Sequence, residues 1–179
     1  VSKNTAPEAA GYGDVRYTLA VHIGNRIPVS GYEVPIGIRP FTSGEIDTIV
    51  AQTGNHWRKV FNVYAKLMFS LNPLAYRCWQ DWRDHRLLQS ASGTALMFSA
   101  PTIKTFNCAE SNQAVRLITG RTWAESLGLG ISFEQLTPEF WVNDDHRVIV
   151  CPYFDYRQLS DIKIMYLVKL LKRFNPLLQ

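Results

Sequence analysis

Four short runs of this chain are apolar almost without interruption: YTLAVHI at residues 17–23, TALMFSA at 94–100, AVRLITG at 114–120 and RVIVC at 147–151. Continuous apolarity over so few residues is the mark of a strand covered on both faces. Each run stops at a glycine or proline, namely Gly24, Pro101, Gly120 and Pro152. Between them the apolar period lengthens to that of a helix. Ile46, Ile49 and Val50 follow the start signals Thr42 and Ser43, and Gly54 and Asn55 then interrupt the pattern. Trp57, Val60, Phe61, Tyr64, Leu67, Met68 and Leu71 mark one face of a helix from about His56 to Ser70. An aromatic and basic helix is expected over Leu74–Ser90, a short one over Arg121–Gly128, and a last one over Gln158–Phe174 with its face set by Ile162, Met165, Leu167, Val168 and Leu171.

Strands alternating with helices imply a mostly parallel sheet covered on both sides. The pattern predicts a three-layer α/β/α domain of doubly wound type, with a central, mostly parallel four-stranded sheet. Residues 1–14 lack apolar periodicity and read as a flexible arm, leaving residues 15–179 as one domain.

Composition narrows the partners little. Hydrophobic residues make up 46% and charged residues 19% of the 179, which suits a chain with a real core. The formal charge of +4 permits attraction to phosphate, yet the basic residues form no run of five. Cys78, Cys108 and Cys151 are too widely spaced for a zinc ribbon or redox pair, so buried thiols in a reducing compartment are expected. No apolar stretch approaches the roughly 18 residues of a membrane span, and a cytoplasmic protein without a membrane partner is expected.

In an open parallel sheet, ligands bind beyond the carboxyl ends of the strands. The residues there are Gly24, Asn25 and Arg26 after the first strand, Ser99 to Thr102 after the second, Thr119 to Thr122 after the third, and Pro152, Tyr153, Phe154, Asp155, Tyr156 and Arg157 after the fourth. Neither a dinucleotide nor a P-loop glycine motif is present, nor a G-x-S-x-G elbow. His22, His56, His85 and His146 have no metal-ligand spacing, so neither a metal nor a cofactor is expected. His22, inside a strand, is expected to be packed or hydrogen-bonded. The amides of Asn25 and Asn55 and the rings of Tyr153 and Phe154 are the groups that read the edge and face of a flat base.

The segment Gly54-Asn55-His56-Trp57-Arg58-Lys59-Val60-Phe61 resembles the G-N-H-F-W-K-x-L helix start of the mismatch-specific and thymine-specific branch of the uracil-DNA glycosylase superfamily. That branch has G-I-N-P-G after its first strand. Here Asn25 directly follows Gly24 and the proline waits until Pro28. Its last loop reads H-P-S-P or N-P-S, of which Cys151-Pro152-Tyr153-Phe154 keeps the proline. The resemblance implies excision of a base from DNA by N-glycosidic hydrolysis. Asn25 would position water, Asn55 would steady the departing base and Tyr153 would stack on it. Asp155, with Glu33, is a candidate acid or base by position alone. Gly24, Arg26, Asn55, His56, Pro152, Tyr153, Phe154 and Arg157 would bind the substrate. The partner implied is DNA or a nucleobase-containing ligand, and two other readings stay open: a non-catalytic member of the same architecture that binds a small molecule, a nucleic acid or a protein partner, and an unrelated small-molecule enzyme using the same crevice. Asn25 and Asn55 also suit a left-handed turn or a helix cap.

Overall fold

The computed structural model describes residues 9–33, 35–73, 76–103 and 114–174. Cys108 and the first two residues of the helix expected from Leu74 lie outside them. In chain order the elements are β1 (Gly11–Gly13), β2 (Leu19–His22), β3 (Ile38–Arg39), α1 (Glu45–Thr53), α2 (Asn55–Leu71), α3 (Trp79–His85) and β4 (Thr94–Met97). Then come β5 (Val115–Thr119), α4 (Arg121–Ser126), β6 (Glu134–Thr137), β7 (Phe140–Asn143), β8 (Val148–Cys151) and α5 (Asp161–Phe174).

All the described strands join one sheet in the order β3-β1-β4-β2-β5-β8-β7-β6. The expected four-stranded sheet is thereby corrected: the sheet has eight strands and is mixed. Its central stretch β4-β2-β5-β8 is parallel throughout. On one flank β1 runs antiparallel to β4; on the other β7 runs antiparallel to β8, and β6 antiparallel to β7. The added strands escaped the hydrophobic pattern for physical reasons. β1 and β3 are three and two residues long. β6 is a polar edge strand, and β7 buries only alternate residues, Phe140 and Val142.

β1 lies inside the stretch expected to be a loose arm, and its residues Gly11 to Gly13 are buried. Glycine is required there by close approach. A Cβ on Gly13 would stand 2.3 Å from the Thr94 carbonyl oxygen of β4.

Side chains alternate across the sheet. Leu19, Val21, Leu96, Val115, Leu117, Ile149 and Cys151 face the main core, which they share with α1, α2 and α5. Ile118, Val148 and Val150 face the other way, against Trp123, Ala124 and Leu127 around α4 and Trp141 of β7. Three layers result.

α2 carries the largest share of the helical core, and its stripe from Trp57 to Leu71 is buried as its spacing predicts. α5 departs from expectation. Its buried face is Ile164, Leu167, Val168, Leu170, Leu171 and Phe174, whereas Ile162 and Met165 are 84% and 53% exposed. Of the helix expected over Leu74–Ser90, the described residues are α-helical only in α3, and after it Leu88 and Ala91 take positive φ values of 59° that no α-helix accommodates. Cys78 is exposed rather than buried, while Cys151 is buried as expected. Among the described residues no helix is long and apolar enough to cross a membrane.

The long connection from β2 to α1 is pinned by one carboxylate. Arg39 donates to both oxygens of Glu45, at 2.8 and 3.1 Å, with its guanidinium 5.0 Å from the Tyr12 ring centroid. The Tyr32 hydroxyl and the Thr42 backbone N–H donate to the same carboxylate at 2.8 and 2.6 Å. Burial opposes ionisation of Glu45, but these hydrogen bonds outweigh it and draw its pKa down from 4.5 to about 2. A carboxyl lowered by folding stabilises the fold above its unfolded pKa and loses that contribution as the pH falls through the folded one. Glu45→Gln is expected to cost about 1 kcal/mol near neutral pH, a low figure because water screens a pair whose arginine is 45% exposed. In urea titrations the gap between wild type and variant should hold above pH 4.5, shrink below it and close at about 2.

Candidate functional site

β2 and β5 are parallel neighbours, and the chain leaves them toward opposite faces of the sheet. After β2 it passes to α1 and α2 on the main-core side; after β5 it turns directly into α4 on the other. Backbone therefore diverges above this pair of strands, and a crevice opens between the two connections. A cavity of about 570 Å³ lies there. Gly24 and Asn25 line it after β2, Thr119 to Trp123 around the end of β5, and Tyr153 and Gln158 after β8. That volume is of the order that takes small-molecule ligands.

The floor is hydrogen-bonded across strands. The Thr119 hydroxyl donates to the His22 carbonyl at 3.2 Å, and the Gly120 N–H donates to the Cys151 carbonyl at 2.8 Å. His22 itself is buried, with Nδ1 2.8 Å from the Ser99 carbonyl oxygen. Burial lowers its pKa to about 4, so the imidazole is neutral at pH 7 and donates to that carbonyl. This is the hydrogen-bonded strand histidine that the sequence led us to expect. On the wall, Gly24 makes room for an indole: a Cβ there would stand 2.9 Å from Cδ1 of Trp123.

The loop after β8 is held from two directions. Phe154 is fully buried and packs edge-on against Tyr64 of α2, ring centroids 5.7 Å apart. Asp155 reaches back to α2, where Lys59 Nζ donates to Oδ2 at 2.9 Å, while the Arg157 N–H donates to Oδ1 at 3.0 Å. The hydrogen bond from the Arg157 backbone, then the Lys59 ammonium, hold the Asp155 carboxyl below its ordinary range. Between these anchors stands Tyr153. Its ring lies nearly parallel to that of His56, at 8° and 5.8 Å, and its hydroxyl shares a 2.8 Å hydrogen bond with His56 Nε2. Burial, helped by the negative charge of Asp155, pushes the Tyr153 hydroxyl up to about 12.

Of the residues expected at the site, Gly24, Asn25 and Tyr153 do line one cavity. His56 touches it through Tyr153, and half-buried Pro152 joins β8 to Tyr153. The others are placed elsewhere. Asn55 is the first residue of α2, exposed and without a side-chain capping bond. Arg26 lies 5.8 Å from the Phe98 ring centroid and donates to the Glu33 carbonyl. Glu33 accepts from the Gly31 N–H in a local turn. Phe154 belongs to the core, and both oxygens of Asp155 are engaged in holding the loop. Trp123 and Gln158 are wall residues that the sequence did not single out. The signal was there in their position, within a few residues of a strand end, but it took the turn geometry to aim them inward.

Chemically the cavity is neutral and hydrogen-bonding. Asn25 and Gln158 bring amides, Thr119 and Thr122 hydroxyls, Trp123 and Tyr153 rings. The one charged group among its described lining residues, Arg121, is paired with Glu125 at 2.6 Å. Among the described lining residues there is no carboxylate, imidazole or thiol, and among all described residues no cluster of His, Cys, Asp and Glu is placed to hold a metal ion.

A family model matches residues 10–172, from just before β1 into the last turn of α5. The chain belongs to DUF6942, a family of unknown function. Comparison with curated proteins and with solved structures finds no match. The DUF6942 match takes in the whole sheet and every lining residue named above.

Gly24→Ala should displace the Trp123 indole from the cavity wall. A cost of about 1–2 kcal/mol is expected for the overpacked contact. Thermal unfolding together with the tryptophan emission spectrum measures both effects.

Proposed function

We propose that the crevice recognises a nucleobase and that its reaction is hydrolysis of the N-glycosidic bond in nucleic acid. The observation that carries this reading is the convergence of Asn25 and Tyr153, from opposite ends of the chain, on one cavity. Amides are bidentate readers of base edges, and aromatic rings accept base faces. A flat, uncharged heterocycle matches that lining better than a phosphate or carboxylate does, because the only charged side chain among the described lining residues is already paired. The resemblance of the Gly54–Phe61 segment to the glycosylase helix start points the same way.

In this reaction water adds to the sugar C1′ as the base leaves with the bonding electrons and takes up a proton. The Asn25 side-chain carbonyl accepts a hydrogen bond from the water and so aims it. Gln158 takes the part that the resemblance assigned to Asn55, donating its amide N–H to the departing base. Asp155, held ionised by Arg157 and Lys59, keeps the loop in place and takes no proton.

A second reading has its own support: with no titratable base among the described lining residues, the same cavity suits recognition without chemistry. The two separate in one experiment. Single- and double-stranded oligonucleotides containing uracil, or thymine opposite guanine, are incubated with the protein and free base is measured by chromatography. Base release is expected, falling about 100-fold in Asn25→Ala, the scale of one lost positioning or stabilising group. Salt-sensitive oligonucleotide binding without base release selects the second reading, and neither binding nor release overturns both.

A further inference from the structure

Tyr156 is the one aromatic residue among the strongly exposed large hydrophobics of the described residues, with 52% of its surface in water. Its exposure is not slack in the loop. The residue two before it, Phe154, is buried against α2; the residue one before it, Asp155, is tied to Lys59. On the other side, the N–H groups of Gln158 and Leu159 both donate to the Asp155 carbonyl at 2.8 Å, closing a tight turn. The ring is thus presented by a backbone with little freedom left to lose.

Two cations flank it. Lys59 Nζ lies 5.1 Å and the Arg157 guanidinium carbon 5.8 Å from the ring centroid. Lys59 is paired with Asp155 at 2.9 Å, whereas the exposed Arg157 side chain feels the Asp155 charge without a close ion pair among the described residues. An exposed ring next to an exposed guanidinium is the combination by which proteins hold a single strand: bases stack on the ring, and the backbone follows the positive charge. The ring and the crevice share one loop, for Tyr153 before Tyr156 and Gln158 after it line the cavity.

We infer that Tyr156 and Arg157 form a stacking step beside the crevice for the neighbouring nucleotide of a single-stranded nucleic acid, with its base on Tyr156 and its phosphate on Arg157. The inference rests on the nucleobase reading of the crevice and extends it, naming a strand rather than a free base or nucleoside as the ligand. Lys59 is a positioning residue here, holding the turn through Asp155.

The test is fluorescence anisotropy of a short fluorescein-labelled oligothymidylate over a salt series. Tyr156→Ala should weaken binding about tenfold, and Tyr156→Trp should keep it, because any large ring offers a stacking face. Arg157→Ala should reduce the slope of log affinity against log salt by about 0.7, one phosphate contact on a single strand. Unchanged affinity in Tyr156→Ala and an unchanged slope in Arg157→Ala overturn the inference, as does an oligonucleotide that the wild type does not bind. Thermal unfolding of each variant confirms that a loss is not unfolding. Failure here and failure of the hydrolysis reading look different. Oligonucleotide binding that depends on Tyr156 without base release leaves the step standing and removes the chemistry; base release with Tyr156→Ala binding unchanged does the reverse.

Discussion

β2 is hydrogen-bonded along both edges, to β4 on one side and β5 on the other, and all three strands run the same way. Parallel pairing forces each connection to cross the sheet's length outside its plane. Because the connections after β2 and β5 go to opposite faces, the described backbone parts above the ends of these two strands. The cavity is what that divergence leaves open, and the hydrogen bond from Thr119 to the His22 carbonyl ties the two strand ends beneath it. The whole site depends on this local arrangement.

The second determinant is the start of α2. The stripe that buries this helix against the sheet also fixes the direction of its exposed side chains, so His56 and Lys59 project toward the loop after β8. One meets Tyr153, the other Asp155. The ion pair is only partly buried, each side chain about 22% exposed, and its contribution is to geometry more than to stability. A carboxylate engaged in this way is a poor general base. The described lining therefore offers neutral hydrogen bonds and ring faces, and the proposed base recognition rests on orientation more than on proton abstraction.

How much of this could be read beforehand varied with the range of the interaction. The four central strands stood out because a strand buried on both faces has nowhere to place a polar residue. β7 was harder, since Phe140 and Val142 alternate with half-buried neighbours, and β1 was invisible, since its signature is two glycines that a chain end also tolerates. In α5 several apolar stripes compete around the helix, and only packing against α2 selected Ile164, Leu167 and Leu171 over Ile162 and Met165. Asn25 and Tyr153 were recognisable from their place just after strands. Phe154 and Asp155 stood equally close to a strand end, yet one turned into the core and the other toward Lys59.

The amino-acid order alone determined the α/β class, the central parallel strands and the strand ends at which the cavity-lining residues gather, because these follow from local periodicity and from the residues that stop it. Tertiary structure decided the number of strands, the buried face of α5 and the membership of the cavity. Strand pairing at the edges and the direction of a side chain within a turn are set by contacts between residues far apart in the chain, and no local pattern encodes them.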